Sequence, residues 1–314
     1  MTRRPILPSP GQSRRQLLKL MAASGLVGMV PFSRLLASQQ TMRRRPILSS
    51  GELLPVVGLG TSRVFDVGSD EQARAPLLDV LKLMVEHAAS VVDTSPMYGR
   101  AEGVIGDLSD AAGLRKRLFV ATKVWTRGRE QGIAQMEESF KLLRVESVDL
   151  MQVHNLVDWR TQIKTLRRWK EEGRIRYLGV THYRVDAFEE LEAVMREVPL
   201  DFVQLNYSIA TPEAEQRLLP LAQERGVAVL INRPYERGAT FARVRGKTLP
   251  AWAAEFGASS WGQFFLKWIL AHPAVTCVIP GTSRPSHMLD NVQAGMGTLP
   301  DAEQRAQMRA FYLA

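Results

Sequence analysis

From residue 46 onward, short apolar runs alternate with longer segments whose apolar residues recur every three or four positions. The short runs predict strands at 56–60, 90–95, 118–124, 148–154, 177–182, 201–207, 227–232 and 276–280. The amphipathic segments predict helices at 70–89, 101–112, 131–143, 158–172, 186–197, 213–225, 258–272 and 301–312. Gly173 and Gly226 mark helix ends, and Thr211-Pro212 and Pro300-Asp301 mark helix starts. Ahead of the first strand, PILSSGELLPVVGLG predicts a hairpin turning at Ser49-Ser50-Gly51. Eight strand–helix pairs over residues 46–314 fit the count and length of a (β/α)8 TIM barrel carrying an N-terminal β-hairpin. An open doubly wound sheet is the alternative. It would want a glycine-rich turn after its first strand, and VVGLGTSRV at 56–64 has G-x-G without the third Gly.

A barrel of this kind demands that its chemistry gather at the carboxyl ends of the strands. Asp93 and Tyr98 close VVDTSPMYG, Lys123 closes LFVATK, and His154 closes VDLMQVH. Thr181-His182 follow YLGV, and Gln204 and Asn206 sit in FVQLNYS. A Tyr beside a Lys and a carboxylate is expected to be a phenol of lowered pKa that can give up a proton at neutral pH. A nearby His can hold the carbonyl that receives it, which is the equipment for reducing C=O with a borrowed hydride. Each residue has a plainer reading by itself. Asp93 could cap a helix, Tyr98 could pack, His154 could be structural, and Lys123 could be solvated or form a Schiff base. Four such residues at successive strand ends are harder to explain that way. Trp125, two residues past Lys123, is expected near the mouth of the site, whereas the tryptophans of WGQFFLKW are spaced for core packing.

The formal charge of +9 belongs to the N-terminus. Residues 1–45 hold nine Lys/Arg and no acid, and beyond them 32 basic residues face 32 acidic ones. No nucleic-acid partner is therefore expected. Residues 1–40 are expected to be a leader: Arg14-Arg15 precede an uncharged stretch, Leu20 to Ser33, too short to span a bilayer. The paired arginines resemble twin-arginine signals, which implies the twin-arginine export machinery as a partner and a periplasmic location, with no membrane span after processing unless an uncut leader tethers the chain. Cys277 is the single cysteine, so no intrachain disulfide can form. No His/Cys/Asp/Glu group has metal-ligand spacing, so no metal is expected. The chain is expected to be a monomer.

The segments GLGT (58–61), VDTSPMYGRAE (92–102), ATKVW (121–125), DLMQVHN (149–155), FVQLNYS (202–208), QFFLKWIL (263–270) and VIPGTSRPSHMLDN (278–291) together resemble the aldo-keto reductase family. The resemblance covers essentially all of 46–314. It implies NAD(P)H-dependent reduction of an aldehyde or ketone, with Tyr98 as general acid, Lys123 and Asp93 tuning it, and His154 orienting the carbonyl. It also implies an extended NADPH, with NADH as the alternative, held by Gly60, Thr61, Asp93, Thr181, His182, Gln204, Gly281, Thr282, Ser283, Arg284, His287 and Asn291. Trp125 and Asn155 would meet the substrate. The chain departs from the family pattern at His182, at Asn232 where a nicotinamide-stacking aromatic is usual, and at His287 where an Arg is usual. Those departures keep open a non-catalytic NADP-binding sensor on the same barrel. Loops 63–69, 125–130, 155–160 and 235–249 are expected to line the substrate pocket, and Arg127, Arg129 and Arg160 would favour anions.

Overall fold

In a computed structural model the described residues are 41–314, and the leader expected at 1–40 lies outside them. The chain opens with a hairpin, β1 (Arg44–Pro46) paired antiparallel to β2 (Leu53–Pro55) through the expected Ser-Ser-Gly turn. Then come β3 (Leu59–Gly60), α1 (Glu71–Glu86), β4 (Val91–Asp93), α2 (Ala101–Ala111), β5 (Phe119–Val124), α3 (Arg129–Leu143), β6 (Val148–His154) and α4 (Trp159–Glu171). The second half holds β7 (Ile175–His182), α5 (Phe188–Glu197), β8 (Phe202–Asn206), α6 (Leu218–Arg225), β9 (Ala228–Asn232), α7 (Ala239–Arg243), α8 (Trp261–Leu270), β10 (Cys277–Val278), α9 (Pro285–Ala294) and α10 (Ala302–Leu313).

Strands β3 to β10 pair in parallel in chain order. Bridges from Val57 to Val278 and from Gly60 to Gly281 close the ring. This is the (β/α)8 barrel that the rhythm predicts, hairpin included. Closure depends on glycine: a Cβ on Gly60 would stand 2.7 Å from the Ile279 carbonyl oxygen.

Alternation along the strands sorts the barrel interior into layers. Val91, Phe119, Leu150, Tyr177, Phe202, Leu230 and Cys277 form an apolar plug, to which the hairpin adds Ile47 and Leu54. Two residues further along β4, β6 and β8, and four further along β5 past Ala121, the inward positions turn polar: Asp93, Gln152, Gln204 and Lys123 are all buried. The helices cover the outside by the usual spacing. In α4, Trp159, Ile163, Leu166 and Trp169 are buried, a single stripe at three- and four-residue intervals.

The structure departs from the sequence pattern in several places, among them the loop expected at 235–249, which holds α7. The expected helix 213–225 is a single turn at Glu213–Glu215 followed by α6, because Arg217 has φ −139° and the chain restarts only at Leu218. Pro220 then falls in the first turn of α6, where its missing N–H is not needed. Helix α9 lies where the periodicity predicts no helix, across several of the expected cofactor residues. Pro285 at its start and buried Met288 and Val292 one turn apart are its signals.

Candidate active site

The polar layer meets a cavity of about 820 Å³ at the carboxyl ends of the strands. Asp93 ends β4 and Lys123 stands one residue before the end of β5, both nearly without solvent exposure. Lys123 Nζ donates to Asp93 Oδ2 at 2.7 Å and to the Thr94 carbonyl at 2.7 Å. The other carboxylate oxygen accepts from Gln204 Nε2 at 2.7 Å and from Gln152 Nε2 at 3.2 Å. A buried charge needs this degree of satisfaction. Burial pulls the Lys123 ammonium down, but Asp93 and the Tyr98 hydroxyl outweigh it, and the net direction is up.

Tyr98 lines the cavity with Lys123 Nζ 5.0 Å from its ring centroid. Here the structure corrects the sequence expectation. Burial raises the Tyr98 phenol above its ordinary value, and the pull of Lys123 only partly offsets that. Tyr98 is therefore a neutral hydroxyl at physiological pH, held in the acid form.

His154 ends β6 and its ring stands edge-on to Tyr98, with centroids 5.8 Å apart. Burial, reinforced by Lys123 and His182, lowers its pKa to about 2, so the imidazole is neutral. Ser95 Oγ lies 2.9 Å from His154 Nδ1 and also accepts the Met97 N–H at 3.3 Å. Among the described residues, Nδ1 is the one acceptor for the buried Ser95 hydroxyl proton. Hydrogen-bond accounting thus assigns the ring proton to Nε2, the nitrogen left for the cavity.

Sequence reasoning missed Gln152 and Ser95. Gln152 was legible, since it lies two positions before His154 on the same strand face. Ser95 follows the end of β4, where no periodicity holds.

The cofactor positions divide. Gly60, Thr61, Asp93, Thr181, Gln204, Gly281, Thr282, His287 and Asn291 line the cavity, as does Asn155. Thr61 is anchored there by donating its N–H and its hydroxyl to the Asp93 carbonyl at 3.0 and 2.9 Å. His182 does not line the cavity. It ends β7 beside inward-facing Thr181, stacks on Tyr183 and accepts the Arg184 N–H. Ser283 and Arg284 stand outside the wall at the start of α9, and Trp125 is exposed with its ring centroid 6.5 Å from that of His154. The Gln204 amide is spent inside the protein: its oxygen accepts from Thr181 at 3.2 Å and Asn232 at 3.3 Å. By contrast, Asn232 Oδ1 and Asn155 Oδ1 are buried in the wall with no partner. Tyr235 also lines the cavity and donates its hydroxyl to Asn291 Oδ1 at 2.6 Å, next to α9.

The family pattern described as Aldo/keto reductase family matches residues 56–312. The chain belongs to the aldo/keto reductase family. As a member it is an oxidoreductase. It is 27% identical over 284 residues to the methylglyoxal reductase of Escherichia coli, a match covering 86% of this chain and 96% of that protein. It is 26% identical over 253 residues to the glyoxal reductase of Bacillus subtilis, covering 78% and 84%. An aldo-keto reductase from Bacillus halodurans in its holo form superposes with a TM-score of 0.69 at 24% identity, covering 86% of this chain and 96% of that one. An aldo-keto reductase from Klebsiella pneumoniae in complex with NADPH gives 0.68 at 23%, covering 87% and 95%. Among the described residues no helix is long and apolar enough to cross a membrane.

Proposed function

We propose that the protein reduces a small aldehyde or ketone to the alcohol with NADPH, Tyr98 supplying the proton. The observation that carries this reading is the Asp93–Lys123 ion pair set behind a cavity-lining, protonated Tyr98, with neutral His154 beside it. The carbonyl oxygen accepts from His154 Nε2–H and from the Tyr98 hydroxyl. Tyr98 passes its proton to that oxygen, and the Lys123 ammonium stabilises the tyrosinate left behind. Asp93 keeps Lys123 charged and in place.

The cavity fits an extended nicotinamide dinucleotide. It has unpartnered amide oxygens at Asn232 and Asn155 for a carboxamide and a glycine-lined edge at Gly60 and Gly281 for close approach. Thr61, Thr181, Thr282, His287 and Asn291 are the other cavity residues we assign to it, with Ser283 and Arg284 just beyond the wall. When bound, the dinucleotide supplies a hydride to the carbonyl carbon. NADPH is preferred over NADH because Arg284 and His287 flank the start of α9, and because a relative of the same fold is described with NADPH.

Two relatives are named for methylglyoxal and glyoxal, so short 2-oxoaldehydes are the first substrates to try. NADPH consumption with methylglyoxal is expected from the wild type. Tyr98→Phe should lower it by about 10²–10⁴-fold with NADPH binding intact. Retained turnover in Tyr98→Phe would remove Tyr98 from the role of acid. A wild type that binds NADPH without turning over any aldehyde or ketone would favour a cofactor sensor instead, a reading that Asn232 in place of a stacking aromatic supports.

We further propose that residues 1–40 export the folded protein by the twin-arginine route to the periplasm, loaded with cofactor. Arg14→Lys with Arg15→Lys should retain active protein inside the cell. Unchanged export of that variant, measured by fractionation, would sink the twin-arginine assignment.

A further inference from the structure

The loop that leaves β5 has its backbone hydrogen bonds supplied by side chains from α3 and from the start of α4. The strand ladder stops at Val124, which pairs with Val153 of β6. One residue on, Gln135 of α3 grips both backbone groups of Trp125. Its Oε1 accepts the Trp125 N–H at 2.5 Å, and its Nε2 donates to the Trp125 carbonyl at 3.3 Å. A single amide thus gives Trp125 the two bonds that a neighbouring strand would have given. From the other side, Gln162 Nε2 donates to the Thr126 and Gly128 carbonyls at 3.2 and 3.0 Å, and Asp158 Oδ2 accepts the Gly128 N–H at 2.7 Å.

Gln135 is itself set at a fixed height against β5. One turn further along α3, the Ser139 hydroxyl donates to Glu102 Oε2 at 3.1 Å. The Thr122 hydroxyl donates to Oε1 of the same buried carboxylate at 2.5 Å. Glu102 therefore ties α3 to the strand that carries Lys123, and the reach of Gln135 toward Trp125 follows from that tie.

Packing does not hold the ring that this arrangement carries. Trp125 is 42% exposed, whereas the other five tryptophans are buried or half-buried. Its centroid stands 6.5 Å from that of His154, which lines the cavity. Loop 125–130, expected to line the substrate pocket, contributes no residue to the cavity wall. Its Arg129 pairs with Glu130, as Arg160 does with Glu197. What the loop brings to the mouth is the Trp125 ring. An exposed ring on an unpaired backbone would sample many positions, and two bonds to its own peptide groups restrict them.

We infer that Gln135 is a positioning residue: it holds Trp125 at the His154 side of the mouth, where the ring meets the apolar part of the substrate. Gln135 does not line the cavity, so it acts through Trp125 on substrate affinity and not on the proton transfer. The role in turnover rests on the proposed carbonyl reduction, whereas the grip on Trp125 stands on the hydrogen bonds alone.

Gln135→Met keeps the length and helix propensity of the side chain and removes both bonds. Gln135→Glu keeps the acceptor for the Trp125 N–H and loses the donor. With the full chain and NADPH, Gln135→Met should raise KM for phenylglyoxal by about five- to tenfold with kcat within about twofold, and Gln135→Glu should recover part of the loss. Trp125→Ala should raise KM similarly, and adding Gln135→Met to it should change little more, because the two act as one unit. The melting temperature of Gln135→Met should stay within about 2 °C of the wild type, since Gln135 is only half-buried. Fluorine NMR of protein labelled with 5-fluorotryptophan reads the grip without turnover. The Trp125 resonance, assigned by its loss in Trp125→Phe, should shift or broaden in Gln135→Met while the other five stay in place. An unmoved Trp125 resonance would overturn the grip. A moved resonance with unchanged KM, or additive losses in the double variant, would overturn the role in substrate binding. A lower melting temperature with kcat and KM both impaired would make Gln135 a structural brace instead. A wild type that turns over no aldehyde would overturn the reductase reading and the substrate role with it, and the resonance would still decide the grip.

Discussion

The two sides of the barrel mouth are built differently. At the ends of β4, β5 and β6, Asp93, Lys123, Gln152 and His154 are buried and each has a partner, while just past β6 Asn155 keeps an unpartnered Oδ1 and left-handed backbone. At the ends of β9 and β10 the pattern reverses. Asn232 Oδ1 has no partner, three nearby residues hold left-handed backbone, and Arg284 and His287 face solvent. The first side is locked by its own hydrogen bonds before any ligand arrives, as a reacting centre has to be. The second is left to be completed by what binds. A reaction can stay fixed on the first side while specificity changes on the second.

The sharpest way to break that contrast is to remove one lock. Lys123→Met leaves the buried Asp93 carboxylate without its counter-ion, a change that costs about 3–5 kcal/mol of stability in comparable buried pairs, and it should also abolish reduction. Adding Asp93→Asn to Lys123→Met should recover much of the stability and none of the activity. Arg284→Ala, on the open side, should move stability by no more than about 0.5 kcal/mol. Urea unfolding of the three variants checks this. A small loss in Lys123→Met would mean that the ion pair is not the lock.

The same division separates what the sequence made legible from what it did not. Period-2 alternation ending in a charged or polar residue placed Asp93, Lys123, His154 and Gln204 at the barrel mouth, because strand geometry dictates which face they share. The barrel itself was legible from the regular exchange of strand and helix periods. Where backbone leaves those periods, the pattern is silent. Ser95, the left-handed Arg63 and Arg233, and the orphaned Asn232 oxygen are set by loop conformation. His182 was misplaced for a related reason: it adjoins Thr181, and neighbours on a strand face opposite ways. The direction of the Tyr98 shift was missed because a sequence shows the Lys but not the burial that outweighs it.

A milder perturbation is pH. His154 stays neutral in the folded chain down to about pH 2, whereas in the unfolded chain it takes up a proton below about 6.5. The unfolded state therefore binds more protons across that window, and stability rises with pH from about 2 to 6.5, by up to about 1.4 kcal/mol per pH unit from this group. Carboxylates titrate in the same range, so the comparison that isolates His154 is with His154→Asn. The wild type should lose stability more steeply than the variant between pH 6.5 and 4.5. Parallel slopes would mean that the ring is not held neutral.

The smallest expected effect is at Ser95, where the contrast between the two sides becomes a matter of one proton. The Ser95 hydroxyl fixes His154 Nδ1 as an acceptor and so keeps the proton on Nε2, the nitrogen that would meet the carbonyl in the proposed reaction. Ser95→Ala removes that bias without opening the core by more than one oxygen atom. Nδ1 is then free to carry the proton, and in that tautomer Nε2 can no longer donate to a carbonyl. Losing one neutral hydrogen bond of about 1 kcal/mol should lower kcat/KM by about five- to tenfold. NADPH affinity should be unchanged, because Ser95 does not line the cavity. A purely structural role would shift the melting temperature and leave the ring chemistry alone. Nitrogen-15 NMR of the imidazole distinguishes the cases: one tautomer, protonated at Nε2, in the wild type and a mixture in Ser95→Ala. A variant that keeps the wild-type tautomer and still loses activity would show that Ser95 acts on the chemistry by some route other than His154.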